Sequence, residues 1–196
     1  SRSREAQVPA ACEMLGIPCT HSDPLTMALT LDKALTKHVL QSAGLRTAPF
    51  RVASDEADLA AIDLPWPLFV KPVAEGSSMG VRHSSRVADR DALLREARRC
   101  FADYRQPVLV ESCLAGTEVT VGVFGQGDAA CTLGCMEIAP ARGSVADFVY
   151  GLESKRGYRE LVRYHAPPRS LTPAQLDDAL ALALGAYRVL GCRDVA

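Results

Sequence analysis

A chain of 196 residues with 48% hydrophobic content can bury a substantial core, as one large or two small domains. Its formal net charge of −1, with 22 basic and 23 acidic residues intermixed, argues against a nucleic-acid partner held by phosphate contacts. No apolar run approaches the roughly 18 residues of a membrane span, no signal peptide is read at the start, and seven cysteines without framework spacing suit a reducing cytoplasm.

Ser1 to Gln7 are polar, lack periodicity and read as frayed. Val8 to Leu15 read as a short helix stopped by Gly16, and Ile17 to Thr20 as an extended piece. Asp23-Pro24 sets an N-cap before a first-turn proline, so a helix starts there. Apolar positions then run through Leu31, Leu35 and Val39 to Gly44, as two helices broken near Thr30 or one bent helix. Thr47 to Ala53 read as a strand and Ser54 to Asp63 as an acidic segment. Pro67 to Val70 read as a buried strand ended by Pro72, and Val81 to Ser84 as a return strand completing a hairpin. Asp89 to Phe101 form an amphipathic helix with Leu93, Leu94, Ala97 and Phe101 inward.

Pro107 to Glu111 read as a short apolar strand. Glu118 to Phe124 alternate, with Val119, Val121 and Val123 on one face; Gly125 to Asp128 turn, and Ala129 to Ile138 return. Cys131 and Cys135 fall far apart along one face of that return strand and read as small buried hydrophobes, not a zinc pair. Arg142 to Pro168 are long and irregular. Leu171 to Leu190 are the clearest helix, capped by Thr172-Pro173 and stopped by Gly191. His21, His38, His83 and His165 lack metal-ligand spacing and are placed in loops or on helix surfaces, so no metal ligand is read in this chain.

The chemistry concentrates where an apolar strand delivers Lys71 into Pro72-Val73-Ala74-Glu75-Gly76-Ser77-Ser78-Met79-Gly80. Small residues let backbone N–H groups approach an anion, and an ammonium beside them suits a polyphosphate. The spacing is neither a Walker loop nor a dinucleotide fingerprint. Lysine is rare here: only Lys33, Lys37, Lys71 and Lys155 interrupt a chain otherwise served by arginine. Lys37, on a helix, reads as ordinary surface charge, whereas an unpaired Lys71 within an apolar strand would be expensive and reads as functional.

These pieces, in this order, resemble the ATP-grasp enzymes, and among them the D-alanine–D-alanine ligase group. The telling segments are Leu15 to Thr20, Leu31 to Lys37, Lys71-Pro72 with Glu75 to Gly80, Val108 to Glu111, Gly116 to Val121, Tyr150 with Glu153-Ser154-Lys155, and Leu190 to Arg193. The resemblance implies an α+β ATP-grasp fold. A central small antiparallel sheet subdomain at 32–115 would lie between the end of an N-terminal substrate domain (1–31) and an incomplete C-terminal sheet-and-helix subdomain (116–196). It also implies roles. Lys33 and Lys71 would contact ATP phosphates, the loop of Glu75, Gly76, Ser77, Ser78 and Gly80 would close over them, and Lys155 would reach the γ-phosphate. Glu111, Ser112, Cys113 and Leu114 would form the adenine hinge, Glu118 would hold the ribose, and Ser77 and Tyr150 would face the amino-acid pocket. Taken alone, Glu111 and Glu118 read as ordinary strand-end carboxylates and Lys155 as solvated charge, while Ser77 reads also as a residue chosen for size and Tyr150 as a packing aromatic; only the joint pattern overturns these readings.

In the resembled enzymes ATP converts one amino acid's carboxylate to an acyl phosphate, which the amine of a second attacks. Alternatives are another ATP-grasp ligase of different substrate, or a non-catalytic nucleotide-binding remnant. Magnesium ligands are expected beyond Ala196, so the chain reads as a fragment that binds nucleotide at most. Arg156 follows Lys155 where the family often has tyrosine, and Gly151-Leu152 replace a tyrosine–aspartate pair, leaving the second substrate open. Small-molecule amino acids are the expected partners, in the cytoplasm; homodimers are common in the family, and the sequence leaves oligomeric state open.

Overall fold

The computed structural model describes residues 3–196. Its helices are α1 (Gln7–Met14), α2 (Pro24–Leu31), α3 (Lys33–Ser42), α4 (Glu56–Ala60), α5 (Arg90–Tyr104), α6 (Leu152–Arg156), α7 (Tyr158–Leu161) and α8 (Pro173–Val189). Its strands are β1 (Phe50–Ala53), β2 (Leu68–Pro72), β3 (Arg86–Val87), β4 (Val108–Ser112), β5 (Glu118–Gln126), β6 (Cys131–Pro140), β7 (Val162–His165) and β8 (Arg193–Val195). They form two four-stranded sheets, β1-β4-β2-β3 and β7-β6-β5-β8, in an α+β architecture. The chain divides into two compact units: one takes the chain up to Thr47 with Thr117–Ile138 and Tyr164–Ala196, the other Ala48–Gly116 with Ala139–Arg163.

In the first unit the expected frayed start is ordered helix from Arg4 on, a 3-10 turn over Arg4–Ala6 running into α1, while Ser1 and Arg2 lie outside the described residues. Left-handed Gly16 (φ +65°) follows α1, and the Asp23 carboxylate accepts the Thr26 amide at 2.9 Å to open α2. The two-helix alternative holds, with the break at Asp32 rather than Thr30. Asp32 is extended, and its carboxylate accepts the Ala34 and Leu35 amides at 3.1 and 3.0 Å, so one residue ends α2 and caps α3. Lys37 corrects the sequence reading. It is buried, its Nζ 2.5 Å from the Thr47 hydroxyl, because a lysine stem can lie in apolar packing once its ammonium finds an acceptor.

Packing of α8 on β5 gathers Val123, Ala130 and Tyr187, and the Tyr187 hydroxyl donates to the Gly125 carbonyl at 2.7 Å. Thr172 and Gln175 close a reciprocal capping box at the start of α8. Burial alone would raise the Glu137 carboxyl, but the amides of Arg169 and Ser170, at 2.6 and 3.0 Å, hold it below its ordinary value. The β5–β6 ladder pairs Gly122 with Gly134 and Val123 with Thr132, so Leu133 is an extra, bulged residue. That bulge overturns the one-face placement of the cysteines: Cys135 is buried and Cys131 exposed. Strand β8, which no sequence signal announced, pairs with β5 from Phe124 to Gln126.

In the second unit α4 and α5 cover one face of an antiparallel sheet, over a core of Leu59, Leu68, Val70, Leu93, Val108 and Val110. Asp89 caps α5 by accepting the Ala92 amide at 2.8 Å, and the expected inward residues pack as read, with Cys100 added. The return strand does not form at Val81 to Ser84. The fully buried Ser85 hydroxyl accepts the Arg82 amide at 3.1 Å and winds His83–Ser85 into a 3-10 turn, displacing the pairing to β3 against Leu68 and Phe69. The irregular stretch from Arg142 is likewise corrected, since it contains α6, α7 and β7; His165 therefore ends a strand rather than lying in a loop.

Candidate functional site

Alternation along β2 sends Leu68, Val70 and Pro72 into the core and leaves Phe69 and Lys71 half-buried on the other face. The neighbouring β4 sets Leu109 opposite Lys71 and Glu111 opposite Phe69, so Lys71 and Glu111 are diagonal neighbours on that face. Their charges meet, Nζ to Oε1 at 2.5 Å, with side chains 22% and 14% exposed, and the ammonium stands 5.7 Å from the centre of the Phe69 ring. This pairing answers the cost of a charge in an apolar strand. The sequence flagged each residue but not their meeting, because forty residues separate them and register alone brings them together.

The loop after Pro72 is gripped at its entrance by Gln106, whose side chain accepts the Ala74 amide at 2.6 Å and donates to Glu75 at 2.8 Å. Two successive turns follow, Met79 N–H to the Gly76 carbonyl at 2.9 Å and Val81 N–H to the Ser78 carbonyl at 3.0 Å. Ser77 and Ser78 are both left-handed (φ +51° and +58°), as is Gly80 (φ +81°). Two serines held there carry strain, of order 1 kcal/mol or more each, of the kind found at ligand-binding loops. The amides of Gly76, Ser77 and Ser78 make no hydrogen bond among the described residues, which leaves three successive backbone donors unspent, chemistry suited to an anion.

Against this loop lies the segment bearing Tyr150 and Lys155. The Ser78 hydroxyl donates to the Tyr150 carbonyl at 3.3 Å, and the Leu152 amide donates to the Val81 carbonyl at 3.3 Å. Gly151 approaches so closely that a Cβ there would lie 2.7 Å from the Val81 oxygen. Lys155 Nζ stands 5.1 Å from the centre of the Tyr150 ring, a cation–π contact. One unit thus brings together Lys71, the Glu75–Gly80 loop, Glu111, Tyr150 and Lys155.

The hinge candidates divide. Glu111 faces the lysine side, whereas Ser112 continues the core-facing register of Val108 and Val110, its hydroxyl buried and without a hydrogen-bond partner among the described residues. Cys113 N–H donates to the Pro67 carbonyl at 2.9 Å, and Leu114 is exposed. A buried hydroxyl left unpaired costs about 1–3 kcal/mol, so Ser112→Ala is expected to leave thermal stability unchanged or raise it by up to about 1 kcal/mol. A drop in melting temperature would contradict this. Lys33, the first residue of α3, and Glu118, the first of β5, belong to the other unit. A cavity of about 650 Å³ in that unit, lined by residues including Cys19, His21, Phe124 and Asp194, borders none of the candidate residues. No group of three or more His, Cys, Asp or Glu among the described residues could hold a metal ion, and none of their helices is long and apolar enough to cross a membrane.

A family model described as D-ala D-ala ligase C-terminus matches residues 39–196. The D-alanine–D-alanine ligase of Bordetella petrii is 36% identical over 189 residues, covering 93% of this chain and 53% of that relative. The chain therefore spans about half the length of the curated relatives it matches. Among solved structures, VanG D-Ala:D-Ser ligase from Enterococcus faecalis is 25% identical with a TM-score of 0.77, over 96% of this chain and 53% of that one. A D-alanine–D-alanine ligase from Bacillus anthracis, complexed with ATP, is 22% identical with a TM-score of 0.71, over 97% of this chain and 57% of that one.

Proposed function

Since the chain belongs to the D-Ala–D-Ala ligase C-terminal family and has its ATP-grasp fold, we propose that it carries the nucleotide-binding part of an ATP-dependent ligase that joins two amino acids, D-alanine twice. The carrying observation is half-buried Lys71, on the sheet face away from the core of its unit, followed directly by a loop with strained serines and unspent amides. In this reading the loop amides and the Lys71 ammonium hold the β- and γ-phosphates, the Glu111–Leu114 main chain reads the adenine, and Lys155 reaches the γ-phosphate. Ser77 and Tyr150 face the amino acid. In family terms 1–31 ends an N-terminal substrate domain, 32–115 is the central subdomain and 116–196 an incomplete C-terminal one.

The chemistry needs no covalent enzyme intermediate. The first carboxylate takes the γ-phosphoryl group, giving ADP and an acyl phosphate; the second amine attacks, and phosphate leaves from the tetrahedral adduct. The protein's contribution is positioning, with cationic and backbone donors offsetting the charge that repels the incoming carboxylate. Magnesium accompanies ATP in this proposal, and no group of three or more His, Cys, Asp or Glu among the described residues could hold it. The setting is cytoplasmic peptidoglycan precursor synthesis.

One observation favours a second reading of the second substrate, the likeness to a D-Ala:D-Ser ligase. The complete enzyme containing this chain, given ATP and D-alanine alone or with D-serine, is expected to release ADP and form D-alanyl-D-alanine. Turnover confined to unrelated acids would overturn the D-alanine assignment, and a preference for D-serine would move the protein to the second reading.

A further inference from the structure

Helix α5 carries a carboxylate where its periodicity calls for a hydrophobe. Leu93, Glu96, Ala97 and Cys100 make up its buried side, and Glu96 is 4% exposed. An ionised carboxylate so placed is costly unless paired and hydrogen-bonded. Here both oxygens are used. Oε1 accepts the Ser85 hydroxyl at 3.1 Å and Arg99 Nη2 at 2.5 Å, while Oε2 accepts Arg99 Nε at 3.1 Å. Hydrogen bonding to Glu96 raises the Arg99 pKa further above its ordinary value, and burial pushes the adjoining Cys100 thiol up to about 11.

The guanidinium does not end at Glu96. Its Nη2 also donates to the carbonyl of Gly80 at 2.8 Å, and Nη1 reaches Asp103 at 3.2 Å. Gly80 closes the strained loop, with its φ of +81° and with Pro72 packed so tightly against it that a Cβ would lie 2.5 Å from the ring Cγ. Apolar residues of similar volume in place of both Glu96 and Arg99 would fill the space with little or no loss of stability. What an apolar residue cannot supply is a directed donor fixed at one point of the loop.

We propose that the Ser85–Glu96–Arg99 chain is a positioning device for the phosphate loop: Arg99, aligned by Glu96, holds the Gly80 carbonyl and so fixes the loop's exit against Pro72, the neighbour of Lys71. Arg99 is therefore a positioning residue that acts through the loop's main chain. The inference rests on the nucleotide reading above and adds the residues that keep its loop in place.

Two variants test it: Arg99→Ala, and Glu96→Gln with Arg99→Met, which removes the strut without stranding a buried charge. Backbone hydrogen exchange in the ligand-free chain is followed at Met79 and Val81, whose amides are bonded within the loop, and, as reference, in β4. Affinities are measured for ATP with magnesium and for adenosine, which lacks phosphates. Exchange in the loop is expected to rise while β4 is unchanged, and ATP affinity to fall roughly tenfold with adenosine held within about twofold. Unchanged loop exchange would overturn the proposal. So would equal weakening of both ligands, the mark of a merely structural role, or variants that bind ATP as well as the parent. A parent chain that binds neither ligand would instead overturn the nucleotide reading, and the exchange data would still show whether the strut orders the loop.

Discussion

Lys71→Ala is expected to weaken ATP binding about a hundredfold while changing adenosine binding little, because a single ammonium meeting the phosphates contributes about 3 kcal/mol in a partly desolvated site. The same change leaves Glu111 without its cation on a half-buried face, so a stability loss of about 1–2 kcal/mol accompanies it. The two effects separate in Lys71→Met combined with Glu111→Gln, which keeps the apolar stem over Phe69 and leaves no carboxylate without its cation. Lys71→Arg is expected to recover only part of the affinity, since a planar fork replaces a compact point charge. Calorimetric titration of each variant with ATP and magnesium, beside adenosine, measures all of these. ATP affinity unaltered in Lys71→Ala would remove the lysine from the site.

The second large effect is expected at Gly80. Alanine there combines a left-handed backbone, costing about 1–2 kcal/mol, with a Cβ driven into the Pro72 ring, which cannot swing aside as a flexible chain would. The sum is roughly 3 kcal/mol, and in a domain of this size the melting temperature falls by about 6–12 °C. Gly76→Ala is the control: nothing lies within 4 Å of the place its new methyl would take and its φ is not positive, so a change within about 0.5 kcal/mol is expected. Thermal denaturation of both variants decides the matter. A Gly80→Ala protein melting with the parent would show that the loop relaxes away from Pro72 freely.

Local chemistry made much of this legible beforehand. Caps at Asp23 and Thr172 and helix stops at Gly16 and Gly191 are decided within a turn of chain, and each stands where the sequence placed it. So does the strand that carries Lys71 and the small-residue loop behind it. What escaped notice depends on partners distant in sequence. Lys37 looks like surface charge until Thr47 folds back to it, and Glu96 looks like the polar edge of a helix until Ser85 and Arg99 enclose it. Ser85 itself, by capturing Arg82 N–H, moved the return strand downstream of the expected segment. The bulge at Leu133 illustrates the same limit, since a period of two is blind to one inserted residue and assigns every residue beyond it to the wrong face. Strand β8 is three residues long, below what alternation can announce.

The grip of Gln106 on Ala74 and Glu75 has a consequence when set beside the Arg99 bond to Gly80. The loop is a short span clamped at both ends, so its motion is a flexing of the middle, Gly76 to Met79, rather than a swing about one hinge. Much of the conformational entropy of ordering it is then spent when the chain folds, not when a ligand arrives. Such a span trades adaptability for speed: it settles in the nanosecond-to-microsecond range of small loop motions, well ahead of any millisecond domain movement.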